Sequence, residues 1–204
     1  MPLMTLHLIR LHLDADIKKF LRALGEDREL NLVVASQPRF LVIRPTRVDV
    51  NPLMAKAWDL MLLLSSPDNA IPTPLRPAIC EEYKIHVGVP SKVLSTYRQR
   101  NQSLIRNASQ IPLTGALDKA QARDSSQSLE LSPDLIAFMN ELSKEHDKPV
   151  TMLNLLNFQH GGKTKYYQYG QVCLLNGPAG SSGRLTKAVS TYAGICPGSR
   201  QARR

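Results

Sequence analysis

The sequence predicts an α+β fold with helices on one face of an antiparallel sheet, and three observations carry that prediction. Ile17, Phe20, Leu21 and Leu24 recur at the spacing of a single helix face. Residues 58–64, Trp-Asp-Leu-Met-Leu-Leu-Leu, form a mostly apolar run of strand length, which marks a central strand. Tyr83, Ile85 and Val87 alternate with Lys84, His86 and Gly88, the period of a strand with one wetter face.

Residues 5–13 read as the first strand. Leu6 and Leu8 alternate with His7, and then the pattern slips to Ile9, Leu11 and Leu13, so the strand either carries a bulge or is buried on both faces. Asp14 or Asp16 caps the helix that follows, and Gly25 is expected to end it as a C-terminal cap. Residues 30–35 and 40–43 are apolar runs separated by Ser36-Gln-Pro-Arg39. They read as two strands, or as one strand broken at Pro38. After the central strand at 58–64, residues 65–77 are Pro- and Ser-rich and form a loop, and residues 75–82 form one or two helical turns. The strand at 83–89 follows, and Ser91 is expected to cap a helix through Val93, Leu94 and Tyr97.

Strand, helix, strand, strand, short helix, strand is the order of a ferredoxin-like plait. A Leu- and Val-rich sheet covered by helices on one face needs a partner for the other. Residues 1–100 are therefore expected to form one ferredoxin-like unit, and the polar stretch 101–131 a linker. Ser132-Pro133-Asp134 is a strong helix start, with Ser as N-cap and Pro at the first position. Leu135, Phe138, Met139 and Leu142 make its apolar face. Residues 150–158 read as another strand, Gly161-Gly162 as a turn, and residues 164–171 as a helix start. Residues 132–171 thus read as the opening of a second, incomplete plait, and 172–204 as a disordered basic tail.

Composition limits the function classes. Apolar residues make up 43% of the 204-residue chain, enough for a packed core. No apolar run approaches a membrane span, and no basic-then-apolar leader opens the chain, so neither membrane insertion nor secretion is expected. Three irregularly spaced cysteines, Cys80, Cys173 and Cys196, fit a reducing cytosol better than a disulfide framework or a zinc site. The net charge of +9 invites a nucleic-acid reading, but five of the positive charges lie between Val172 and Arg204, with no acidic residue among them. The excess is partly a property of the tail and not a basic face with interleaved aromatics, and nucleic acid is not the expected partner.

The segment Val150-Thr-Met-Leu-Asn-Leu-Leu-Asn-Phe158, followed by Gly161-Gly162 and Tyr166-Tyr167-Gln-Tyr169, resembles a family of small dimeric α/β-barrel proteins of unknown function. In that family a V-x-M-L-N-L-L-x-F strand leads into a Y-x-x-Y helix. Leu6-His-Leu-Ile-Arg-Leu-His, Trp58-Asp-Leu and Leu113-Thr-Gly-Ala-Leu-Asp118 look like the N-terminal extension of its fungal members. The resemblance implies a homodimer in which two sheets pair face to face to close a barrel. Relatives of the superfamily include cofactor-free monooxygenases, haem-degrading enzymes and cyclases, so the fold does not choose the function. Family members continue through a long helix and further elements where this chain turns Gly- and Ser-rich. Gln171-Val172 can be encoded by CAG-GT, a common exon–intron junction, so the residues beyond it also read as a gene-model artefact.

Five residues are candidate ligand contacts. Asn154 is an amide inside an apolar strand, which either bonds to backbone or faces a cavity. Tyr166 and Tyr169 are three apart on one helix face, as core rings or as hydrogen-bond donors to a ligand. His7 and His86 lie on strands that a plait sets side by side, where they either pack or act on a ligand. Asp59 is a candidate to orient either histidine. No carboxylate stands at metal-ligand spacing from His7 and His12, so no metal or cofactor is expected. Gly161-Gly162-Lys163-Thr164 lacks the upstream glycine of a phosphate loop and reads as a turn with a helix cap. The expected function is a barrel that binds a small hydrophobic molecule without catalysis. The alternative is a small-molecule enzyme of the cofactor-free monooxygenase or cyclase kind.

Overall fold

The computed structural model describes residues 2–42, 49–65, 70–110, 132–146, 148–156 and 158–175, the last seven of these by their backbone. The chain divides into two compact units, Met1–Val150 and Thr151–Arg204.

The first unit holds one antiparallel sheet of four strands: β1 (Leu3–Leu11), β2 (Asn31–Ser36), β3 (Leu60–Ser65) and β4 (Ile79–Gly88). Their spatial order is β2-β3-β1-β4. With helices against it, this sheet makes an α+β architecture compatible with a ferredoxin-like plait. Strand β1 lies between β3 and β4, with Thr5 opposite Leu64 on one side and His86 on the other. A central position satisfies a strand's edges and not its faces, but here Met4 through Ile9 are all buried, so both faces of β1 are covered. This explains the slipped alternation at Ile9. A register shift is also present, between Arg10 and Leu11, where β4 pairing ends.

Helix α1 (Ile17–Glu26) starts at Asp16, whose carboxylate accepts the Lys18 and Lys19 amides. It runs through Gly25 rather than ending there. The stop comes at Asp27, whose side chain takes the Glu29 amide in a local turn. Phe20 and Leu24 of α1 pack with Ile9, Leu11, Leu60, Leu62, Leu64 and Ile71 into the main core. Met4, Leu6, Leu8, Met61 and Leu63 project to the opposite face and are also buried. Both faces of this sheet are thus covered within one chain.

Several expected elements take other forms. Residues 40–42 are not a strand: Phe40 stacks on Phe138 with ring centroids 4.6 Å apart, an aromatic contact in place of a ladder. Ile43 lies outside the described residues. The short helix α2 (Asn51–Met54) is tied to the start of β3 by Trp58, whose indole N–H donates to the Leu53 carbonyl at 2.7 Å. The turns expected at 75–82 are a 3₁₀ helix, Thr73–Ala78, and β4 begins directly after it. Helix α3 (Ser91–Arg106) has Pro90, not Ser91, at its N-cap, because the Pro90 carbonyl already accepts the Val93 and Leu94 amides. It also extends into the expected linker: half-buried Val93, Leu94, Tyr97, Asn101 and Leu104 continue one stripe. Residues 111–131 lie outside the described residues. Helix α4 (Pro133–Glu145) starts as expected, with Ser132 Oγ accepting the Leu135 amide at 3.1 Å.

In the second unit residues 151–156 join no ladder among the described residues, so the expected strand is not formed there. An apolar run becomes a strand only where a neighbouring edge takes its N–H and C=O groups. The turn is as expected, with Gly161 at φ 75°, a region that favours glycine. Helix α5 (Gly162–Leu175) follows. Residues 176–204, the expected tail, lie outside the described residues.

Candidate functional site

The β1–β4 ladder brings polar side chains together on the sheet face that α1 covers. Residues opposite one another across antiparallel strands share a face. Thr5 opposes His86, His7 opposes Lys84, and Ile9 opposes Glu82. On the other side of β1, His7 faces Leu62 and Ile9 faces Leu60. The same face is therefore apolar towards β3 and polar towards β4.

His7 is the centre of this polar strip. It is completely buried. Its Nδ1–H donates to Glu82 Oε1 at 2.5 Å, and Arg76 Nη1 donates to Glu82 Oε2 at 2.6 Å from the 3₁₀ helix. Burial pushes the His7 pKa below the ordinary 6.5, against the attraction of Glu82. Burial works to raise the Glu82 pKa, but the hydrogen bonds from Arg76 and His7 outweigh it and hold the carboxyl below its usual range. The result is a neutral imidazole in a fixed tautomer facing an ionised carboxylate. With Nδ1 as donor, Nε2 is an acceptor. It is buried and has no hydrogen-bond partner among the described residues.

The other expected contacts are placed differently. His86 is exposed, and its Nδ1 lies 3.3 Å from Thr5 Oγ1, so the two histidines share a face without bonding to each other. Asp59 reaches neither histidine: its carboxylate accepts the Leu11 amide at 2.8 Å, and its own amide donates to Ile9. Asn154 is exposed rather than an amide inside a buried strand, because its segment joins no ladder. Tyr166 is half-buried, with its ring 5.3 Å from that of Phe158. The side chain of Tyr169 lies outside the described ones. Sequence reasoning missed Glu82 and Arg76. Glu82 alternates with Lys84 and His86, which was the available signal, but it fell inside the stretch read as helical turns.

A shallow open depression lies at the far end of β1, lined by Arg10, Leu11, His12, Leu13, Asp14 and Cys80. It does not include His7. Among the described residues no group of three His, Cys, Asp or Glu is arranged to hold a metal, and no helix is long and apolar enough to cross a membrane. Comparison with protein families, curated proteins and solved structures finds no match to this chain.

Proposed function

We propose that this chain is a cytosolic ferredoxin-like protein that binds a small, largely hydrophobic molecule without catalysis, works as a homodimer, and uses His7 as its polar anchor. One observation carries the reading: among the described residues His7 Nε2 is a buried acceptor without a partner, on an imidazole whose other nitrogen is fixed by Glu82. A buried polar atom left unsatisfied costs about 1–3 kcal/mol. A ligand hydroxyl or N–H that met Nε2 would recover that cost. Strand order β2-β3-β1-β4 supports the plait, and the free, exposed Cys80 thiol fits a reducing compartment.

A second reading rests on the same pair. A carboxylate that orients a neutral imidazole through Nδ1 prepares Nε2 to take a proton, which is the arrangement of a general base. That favours a cofactor-free enzyme acting on an acidic C–H or O–H. The described residues near His7 supply no nucleophile beyond Thr5, whose hydroxyl is engaged with His86, so binding without catalysis is preferred.

Native mass spectrometry of the purified full chain tests the proposal, with His7→Leu as the control. The expected result is a small apolar molecule released from the wild type on denaturation and missing from a His7→Leu chain that keeps its circular dichroism. A wild type that carries nothing, and whose melting temperature no member of an apolar hydroxylated library raises, would overturn it.

A further inference from the structure

Two sheets can meet through their faces or through their edges. Here both faces are already buried in a single chain, by Ile9, Leu60, Leu62 and Leu64 on one side and Met4, Leu6, Met61 and Leu63 on the other. The edges remain. The β2 edge is six residues long and interrupted by a register shift between Leu32 and Val34. The β4 edge is ten residues long, contains no proline, and is irregular only at its Ile79 end. Among the described residues nothing pairs with its outer side. A long, regular edge of this kind is a template for another strand.

A second copy is the occupant that the β4 sequence fits. A twofold axis between two antiparallel strands sets one residue opposite itself, so only residue-centred registers are open. Centring on Glu82 or Lys84 puts like charges face to face, which is unfavourable. Centring on Ile85 sets Lys84 against the partner's His86 and leaves Glu82 opposite the partner's Gly88. Centring on Tyr83 sets Glu82 opposite the partner's Lys84, twice by symmetry, and stacks Tyr83 against the partner's Tyr83 on the other face. Lys84 is exposed and available. Glu82 already accepts from His7 and Arg76, and a carboxylate has acceptor sites left for an ammonium. We propose, on the homodimer reading above, that two copies join through their β4 edges in the Tyr83-centred register and merge their sheets into one.

Sedimentation of the full chain and cysteine cross-linking test this together. In a chain with Cys80, Cys173 and Cys196 changed to Ser, Tyr83→Cys would face its own copy with Cβ atoms about 4.5–5.5 Å apart, close enough to oxidise to a disulfide after a small adjustment. The expected results are a dimer mass for the wild type, covalent dimer from Tyr83→Cys but not from Ile85→Cys, and a monomer mass for Lys84→Glu, which sets Glu against Glu. A monomeric wild type would sink the homodimer reading and this interface with it. A dimer that cross-links through Ile85→Cys keeps the β4 edge and overturns the Tyr83-centred register, and one that cross-links through neither site or survives Lys84→Glu keeps the homodimer and removes this interface. The Lys84→Glu arm is independent of the cysteine variants and decides the matter if Tyr83→Cys fails to fold.

Discussion

His7 and Glu82 are bonded across the β1–β4 ladder although they are not ladder partners. The register sets Lys84 opposite His7 and Ile9 opposite Glu82, so the 2.5 Å contact between Nδ1 and Oε1 runs diagonally over one residue pair. Diagonal neighbours on a sheet lie within reach of long side chains. Arg76 then holds the second carboxylate oxygen, so one glutamate ties together both strands and the 3₁₀ helix before β4.

Glu82→Ala should therefore destabilise the protein through its partners more than through its own lost contacts. It leaves the buried His7 Nδ1–H without an acceptor and Arg76 without its counter-charge, a loss of about 2–3 kcal/mol. Glu82→Gln should cost less, because its amide oxygen can still accept one of the two bonds. Denaturant midpoints for the two variants should rank in that order, and equal midpoints would show that the pair contributes little.

Acid should weaken the fold in two steps. The folded-state pKa of His7 is depressed below 6.5, so as pH falls through 6.5 the unfolded chain takes up the proton first and stability drops. That contribution is fully present above pH 6.5. Glu82 is also depressed, below 4.5, so its contribution is present above that value and is lost as pH falls further. Unfolding free energies measured from pH 7.5 downward should show the first decline beginning near 6.5. In His7→Gln that first decline should be smaller, while the lower one remains.

Leu62 and Leu13 offer a contrast in core cost. Leu62 is completely buried in the cluster beneath α1, whereas Leu13 is fully exposed beyond the end of β1. Leu62→Ala should lose about 2–5 kcal/mol, and Leu13→Ala should stay within about 0.5 kcal/mol of the wild type. Thermal unfolding of both variants checks this.

Local periodicity was legible in the sequence and capping only in part, since Asp16 and Ser132 cap their helices while Gly25 and Ser91 do not, and the partners of the site were not legible. The i, i+3, i+4 spacing of Ile17, Phe20, Leu21 and Leu24 and the Ser132 cap depend on residues a few positions apart, and both elements formed as expected. The slip at Ile9 signalled a bulge or a strand buried on both faces, and β1 is buried on both faces with a register shift just beyond, between Arg10 and Leu11. The His7 partner stands 75 positions away in sequence, in a strand that starts earlier than its alternation shows because Ile79 through Tyr83 are buried unevenly. The run at 150–158 shows the opposite failure. Its apolar pattern is strand-like, but whether it pairs depends on a neighbouring edge that no local signal describes.

Asp59 provides a test that separates the observed partner of His7 from the expected one. Its carboxylate accepts the Leu11 amide and its amide donates to the Ile9 carbonyl, so it clamps the end of β1 to the start of β3, and these bonds go to neither His7 nor His86. Asp59→Ala should then cost about 1–2 kcal/mol through an unsatisfied backbone N–H. It should leave the His7 ring with the same protonation behaviour, because Glu82 and not Asp59 faces Nδ1. Glu82→Gln should shift that behaviour, since it removes the charge that favours the imidazolium and weakens the opposition to burial, so the His7 pKa should fall further. Imidazole resonances followed by NMR across a pH series distinguish the two variants. A shift in Asp59→Ala comparable to that in Glu82→Gln would place Asp59 back within the electrostatic reach of the site.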